Sequence, residues 1–404
     1  MVYGIDLGTT YSCIAKLDAN GKTKIIRNLD DASDTLASVV YFESDSNLIV
    51  GDTAKEYVET DAERVVQFAK RYIGKTGDDY KEWNVFGKTY TPIDISALII
   101  KAIKQMANDQ GENVEDVVIA CPAYFGMQEK EAAIKAGKLA GLNVLRLINE
   151  PTAAAVSYCT KQFQENETIL VYDLGGQTFD VTIVKMEVIA KEDGLEIPKM
   201  TVVDCDGDNH FGGTDWDQAL YRYILEAVLD DNGLEESDLE PEQRQDIRAK
   251  VEVNKKKLSY KESVNINGAL TSVTITREDF ESITDSLVQK TIDYVDTILE
   301  KNAGVCIDTV LLVGGSTFMP MIQEAVESKF PGIVQKHDPN LEVAMGVALY
   351  GALVQKGDNS ISNYKQKLKK ETKDLLFEFE TSNLQLKLKI RNREYYNMHR
   401  IRCK

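Results

Sequence analysis

Two stretches of the chain repeat one order of residue types. Tyr3-Gly4-Ile5-Asp6-Leu7-Gly8-Thr9-Thr10-Tyr11-Ser12 is echoed by Val171-Tyr172-Asp173-Leu174-Gly175-Gly176-Gln177-Thr178-Phe179-Asp180, with Asp6 and Asp173 lying 167 residues apart. In a Gly-containing turn the backbone N–H groups approach an anion closely, and threonine hydroxyls add donors. Gly8, Thr9 and Thr10 from one copy, with Gly175, Gly176 and Thr178 from the other, can therefore clasp a polyphosphate from two sides. Each turn nevertheless opens with a carboxylate, which repels phosphate. A divalent cation removes that conflict, because Mg2+ takes few carboxylates, keeps several waters and bridges to phosphate oxygens. The pattern asks for a magnesium nucleotide rather than bare phosphate.

Two further Gly pairs follow strand-like runs: Val313-Gly314-Gly315-Ser316-Thr317, and Phe211-Gly212-Gly213-Thr214-Asp215. Alone, each reads more readily as a plain turn than as a ligand loop. No Walker A pattern is present, which excludes a P-loop NTPase. Asp204, Asp206 and Asp208 have calcium-loop spacing, but Asn209 stands where that loop needs Gly and Asp215 where it needs Glu. The six cysteines and three histidines are scattered without a CxxC pair, so a Cys/His zinc site is not expected and the thiols read as reduced, cytosolic side chains.

The elements that must position these residues alternate. Each acid-glycine-threonine stretch is flanked by apolar runs, as in a β-hairpin, and the domain-sized spacing implies two related lobes facing a cleft. Val117–Ala120 reads as a buried strand and Val144–Ile148 as another strand; Ile95 to Met106 recur at helical spacing with Asp94 placed to cap. A helix over about 127–140 stops at Gly141, another begins near 151, and stripes at 220–229 and 280–298 predict two more. This alternation means layered α/β architecture.

Composition narrows the class. The 404 residues carry 65 acidic against 47 basic side chains, and the net charge of −18 opposes non-specific nucleic-acid binding. No stretch is long and apolar enough to span a membrane, and no secretory signal opens the chain. Residues 361–404 hold 12 Lys/Arg against 5 Asp/Glu, so a basic tail follows an acidic body near residues 356–360.

These residues carry a family likeness. Gly4-Ile5-Asp6-Leu7-Gly8-Thr9-Thr10-Tyr11-Ser12-Cys13, Ala69-Lys70-Arg71, Pro122-Ala123-Tyr124-Phe125, Ile148-Asn149-Glu150-Pro151-Thr152-Ala153-Ala154-Ala155, His210-Phe211-Gly212-Gly213-Thr214-Asp215 and the two further glycine loops occur in one order. Over about residues 1–355 the chain resembles the nucleotide-binding domain of the seventy-kilodalton heat-shock chaperone family. The resemblance implies a two-lobed actin-like ATPase, a duplicated ribonuclease H-like core. Its lobes would be 1–165, with an insertion at about 36–90, and 166–357, with an insertion at about 206–284, followed by tail 358–404.

By the same resemblance the cofactors are ATP or ADP and Mg2+. Asp6 and Asp173 would hold the ion through its waters, Lys70 would reach the γ-phosphate and attacking water, and Glu150 would position water and metal. Thr178 joins this catalytic group. Gly8, Thr9, Thr10, Tyr11, Gly175, Gly176, Gly212, Gly213, Gly314, Gly315 and Ser316 would line the nucleotide, with Asp180 at its border. Glu252, Lys255, Lys256 and Ser259 lie at three- and four-residue spacings on one helix face and match adenosine contacts. Lys256 and Phe318 replace the two arginines that sandwich adenine in the family; Asn340 replaces an Asp, and Gln177 the third Gly of the second loop.

The implied activity is slow ATP hydrolysis driving a folding cycle, with a J-domain co-chaperone and a nucleotide exchange factor as partners. Client polypeptides would require a substrate-binding domain elsewhere, because the roughly 45 residues after the nucleotide domain cannot build one. Asp374-Leu375-Leu376 is faintly similar to the family's linker, and Leu384 to Ile390 alternates like one strand. A small-molecule kinase of the same superfold and a regulatory or scaffold nucleotide binder with weak turnover are the alternatives.

Overall fold

The structure, a computed structural model, describes residues 1–354 apart from 30–31, 162–165, 193–194, 269, 271 and 337, together with 375–380 and 385–390; side chains at 161, 188–199, 353 and in the last two segments are not described. The boundary expected near 356–360 and most of the basic tail lie outside the described residues.

Chain order in the first half is β1 (Val2–Asp6), β2 (Tyr11–Leu17), β3 (Thr23–Ile25), β4 (Leu36–Ala37), β5 (Val39–Phe42), β6 (Leu48–Val50), α1 (Asp52–Lys55), β7 (Val65–Gln67), β8 (Trp83–Val85), β9 (Lys88–Tyr90), α2 (Pro92–Asn108), β10 (Asp116–Cys121), α3 (Met127–Leu139), β11 (Asn143–Asn149) and α4 (Glu150–Lys161). The second half runs β12 (Thr168–Leu174), β13 (Phe179–Glu192), β14 (Leu195–Asp208), α5 (Gly213–Asn232), α6 (Pro241–Leu258), β15 (Ser263–Asn267), β16 (Ser272–Thr276), α7 (Arg277–Lys301), β17 (Thr309–Val313), α8 (Pro320–Lys329), β18 (Val334–Gln335), α9 (Glu342–Val354), β19 (Leu375–Glu380) and β20 (Gln385–Ile390).

The duplication is visible in the sheets. One has the order β11-β10-β1-β2-β3 and the other β18-β17-β12-β13-β14, continued by β20 and β19. In each, the hairpin pair is antiparallel (β1 with β2, β12 with β13) while the first hairpin strand lies parallel to a later strand, β10 or β17. The parallel strands sit under helices, so Val117–Cys121 and Thr309–Val313 are buried throughout, as strands covered on both faces must be. In both halves the core reads strand-strand-strand-helix-strand-helix-strand-helix. Small sheets interrupt it, β5 to β7 and β8–β9 in the first half, β15–β16 with α5 and α6 in the second.

Helix α2 starts at Thr91, whose hydroxyl accepts from the Asp94 N–H while the Asp94 carboxylate accepts from the Thr91 N–H. Asp94 is therefore the third residue of a capping box rather than the cap itself. Helix α5 ends at Gly233 in a left-handed conformation (φ 63). Helices α4 and α9 cross so tightly that a Cβ on Gly346 would stand 1.8 Å from the Ala153 carbonyl oxygen. They share one core with Val2 and Val118 of the first sheet and Ile169, Val171 and Leu311 of the second. Helix α9, within the range 166–357, also lies against β1, where a Cβ on Gly4 would meet the Ala348 backbone N at 2.4 Å. This shared core forms the floor beneath both hairpins. The tail's alternating run forms β20, which pairs with β14 and β19.

Candidate functional site

The two turns come from local constraints. A Cβ on Gly8 would fall 1.8 Å from the Tyr11 carbonyl oxygen, so only glycine closes that turn. Its carbonyl accepts from Ser38 Oγ at 2.9 Å, which ties the turn to the inserted segment. In the second turn Gly175 N–H donates to the Thr178 carbonyl at 3.0 Å. The start of α5 straps this turn down: the N–H groups of Gly213 and Thr214 donate to the carbonyls of Gly175 and Gly176 at 2.9 and 2.7 Å. The Ser316 hydroxyl donates to the Gly175 carbonyl at 2.9 Å. The turns meet across the cleft, where a Cβ on Gly176 would lie 2.2 Å from Thr10 Oγ1. Thr9 is buried, and Thr10 Oγ1 is buried with no hydrogen-bond partner. Gly314 (φ 84) leaves no room for a side chain, since its Cβ would stand 2.7 Å from Asp173 Oδ1.

Four carboxylates converge on one ammonium. Asp6 ends β1, Asp173 pairs in register with Asp180 across β12 and β13, and Glu150 opens α4 directly after β11. Lys70 stands on a 3-10 turn, Ala69–Tyr72. Its Nζ reaches Glu150 Oε1 at 2.6 Å and both residues are buried. Burial, then the Glu150 carboxylate, push the Asp6 carboxyl up to about 7 and the Asp180 carboxyl up to about 8. The same causes, with Asp180 and Asp6, drive Asp173 well above the ordinary range. Burial opposes the Lys70 charge, but Glu150 and Asp6 outweigh it and raise the ammonium's pKa.

One cation cannot neutralise four carboxylates gathered here, Glu150 and Asp180 buried and Asp6 and Asp173 half-buried, so the site favours added positive charge. Among the described residues no three His, Cys, Asp or Glu side chains are grouped to ligate a metal directly. This donor set fits a hydrated Mg2+ held at one remove by Asp6 and Asp173 and completed by water and phosphate oxygens. The orphaned Thr10 hydroxyl beside it suits a phosphate oxygen.

Above the turns, α6 closes the mouth. Tyr11 Oη donates to Glu252 Oε1 at 2.5 Å, and Glu252 pairs with Lys55 Nζ and Lys256 Nζ, each at 2.8 Å. Lys55 Nζ also lies 4.2 Å from the Tyr11 ring centroid. Burial would raise the Glu252 carboxyl, but Lys55 and Lys256 hold it well below the carboxylate range. Glu59 N–H donates to Gln245 Oε1 at 2.8 Å, and Arg248 pairs with the Glu59 carboxylate. Lys255 is buried, donates to the Gly213 carbonyl at 2.7 Å and pairs with Asp217 at 2.8 Å, so its charge serves the scaffold. Ser259 caps the end of α6. Phe318 is 45% exposed, an aromatic face open to solvent, and Asn340 is exposed beside Gly315.

A family model described as Hsp70 protein matches residues 2–367. The chain belongs to the Hsp70 family. Members of that family are chaperone-type ATPases of actin-like fold, and the mixed α/β architecture with its duplicated sheet is consistent with it. The match ends before β19 and β20. No helix among the described residues is long and apolar enough to cross a membrane.

In this Hsp70 chain the acidic and glycine residues expected from sequence gather at the turns, while Glu252 and Lys256 gather at the mouth. Lys255 and Ser316 make hydrogen bonds to the carbonyls of Gly213 and Gly175. Three side chains were not foreseen. Lys55 completes the Glu252 cluster from 197 residues away. Arg71, quoted only as a flank of Lys70, crosses to the second turn through Gln177 at 2.6 Å. Tyr124 faces the acidic cluster: burial and then the Asp180, Glu150 and Asp173 carboxylates raise its hydroxyl's pKa. Its stretch matched the family, but an aromatic after proline carries no signal for this contact.

Proposed function

We propose that this Hsp70 chain binds magnesium–ATP between the two turns and hydrolyses it to ADP and phosphate, driving a chaperone cycle. The observation that carries this reading is the meeting of the mirrored turns at Gly176 and Thr10 beside four carboxylates and one lysine. Magnesium, when bound, would neutralise phosphate charge that the carboxylates would otherwise repel. The turn N–H groups and the Thr9, Thr10 and Thr178 hydroxyls bind and orient the phosphates. Lys70, held by Glu150, offers its ammonium to the γ-phosphate and orients the attacking water, while Asp6, Asp173 and Asp180 border the site. The Lys256 stem and the Phe318 ring flank the base, and Glu252 and Ser259 contact the adenosine. Positioning and charge neutralisation are what phosphoryl transfer to water needs.

By family resemblance the partners are a J-domain co-chaperone and a nucleotide exchange factor, with client polypeptides only where a substrate-binding domain exists elsewhere. The buried free thiols of Cys13, Cys121 and Cys159 suit a reducing compartment such as the cytoplasm. A second reading, a regulatory nucleotide binder of weak turnover, is favoured by Lys256, whose ammonium is engaged by Glu252. Phosphate release from magnesium–ATP separates the two. The wild-type chain is expected to turn over, and Lys70→Ala to lose turnover while ADP still binds; equal rates in both would refute the assignment.

A further inference from the structure

Position 177 is where the second turn carries a long side chain between glycines and Thr178. Gln177 is buried, its Oε1 accepts from Arg71 Nη1 at 2.6 Å, and its Nε2 donates to Thr214 Oγ1 at 3.1 Å. Arg71 Nε donates to the Asn209 carbonyl at 3.1 Å, so the guanidinium is held twice by the second half of the chain. Lys70, the adjacent residue, makes its own pair with Glu150 of the first half. The turn that carries both is a four-residue 3-10 helix, preceded by Phe68 in the left-handed region (φ 61). At its two ends the Arg71 N–H donates to the Phe68 carbonyl at 3.1 Å and the Ile73 N–H to the Lys70 carbonyl at 3.2 Å. So short a helix with such bonds is weakly self-supporting. What fixes it across the cleft is the side chain at 71.

We propose that Gln177 is a positioning residue: it ties Arg71, and with it the turn bearing Lys70, to the second phosphate turn. The inference rests on the hydrolytic reading above and adds a residue to it. Its consequence is that a lysine carried by the first half of the chain is aimed by a side chain of the second half.

The test uses the full chain and measures single-turnover phosphate release from magnesium–ATP alongside the ADP Kd on the same preparations. Gln177→Met keeps the length and removes both bonds; the hydrolysis rate is expected to fall roughly 10- to 100-fold, with the Kd within about threefold. Gln177→Glu keeps an acceptor for Arg71 and is expected to restore the rate to within about threefold of wild type. Arg71→Met combined with Gln177→Met should be no slower than Arg71→Met alone, since both remove one link. A wild-type rate in Gln177→Met overturns the inference, as does a Kd weakened by the same factor as the rate. If wild type turns over and Lys70→Ala does not, such a result sinks the role of Gln177 alone. A wild-type chain that releases no phosphate sinks the hydrolytic reading and this inference together.

Discussion

Gly176→Ala is the smallest change that should force the two turns apart. The added Cβ would stand 2.2 Å from Thr10 Oγ1, 2.7 Å from Thr10 Cβ and 3.1 Å from Thr10 Cγ2. Rotating the threonine about χ1 moves its hydroxyl and methyl but leaves the Cβ in place. Ordinary carbon–carbon contact begins near 3.4 Å, so the backbone must retreat by roughly 0.7 Å. The second turn cannot yield alone, because Gly213, Thr214 and Ser316 strap it to α5 and to the loop after β17. The lobes must open instead. A misplacement near 1 Å costs on the order of 100-fold in rate when catalysis depends on alignment, so single-turnover hydrolysis should fall by about that factor. Quenched-flow phosphate release measures it, with calorimetric ADP titration to show that the protein remains folded. Thr10→Gly in the same chain removes all three clashing atoms and should recover at least part of the loss. A Gly176→Ala protein that hydrolyses ATP at the wild-type rate would refute the meeting of the turns as the seat of catalysis.

Lys55→Met removes a partly exposed ion pair of about 1 kcal/mol and a cation–π contact of about 0.5–1 kcal/mol from the mouth. Together these predict roughly 10- to 30-fold faster release of a fluorescent ADP, followed by stopped flow; an unchanged off-rate would show that the mouth cluster does not hold the lobes closed. The raised carboxyls of Asp6, Asp173 and Asp180 set a pH dependence. In the ligand-free protein they keep protons that the unfolded chain loses near pH 4, so their contribution to stability declines as pH rises toward 8. The thermal midpoint of the free protein should fall between pH 5.5 and 8.5, and magnesium–ADP should flatten that fall; a midpoint that climbs over this range contradicts the charge balance drawn here.

The hairpins were legible because their signals are local. An acid, a glycine and a threonine between alternating apolar runs specify a tight turn whatever surrounds it, and the second copy showed that the fold was doubled. The helices were legible by periodicity, though the cap of α2 was misassigned between Thr91 and Asp94, two members of one reciprocal pair. The turn bearing Lys70 escaped because four residues of 3-10 helix carry no period. The extent of β13 and β14, fourteen residues each, escaped because it depends on pairing beyond the end of β12.

The sequence by itself determined the two turns, the alternation that layers them and the family to which the chain belongs, since each rests on residues that are near neighbours in the chain. Tertiary structure alone decided which charges face one another. Lys55 meets Glu252, Arg71 meets Gln177, and Lys255 and Ser316 meet the carbonyls of Gly213 and Gly175. Charge interaction depends on distance and burial, and for residues far apart in the chain both are set only when the two halves pack over α4 and α9.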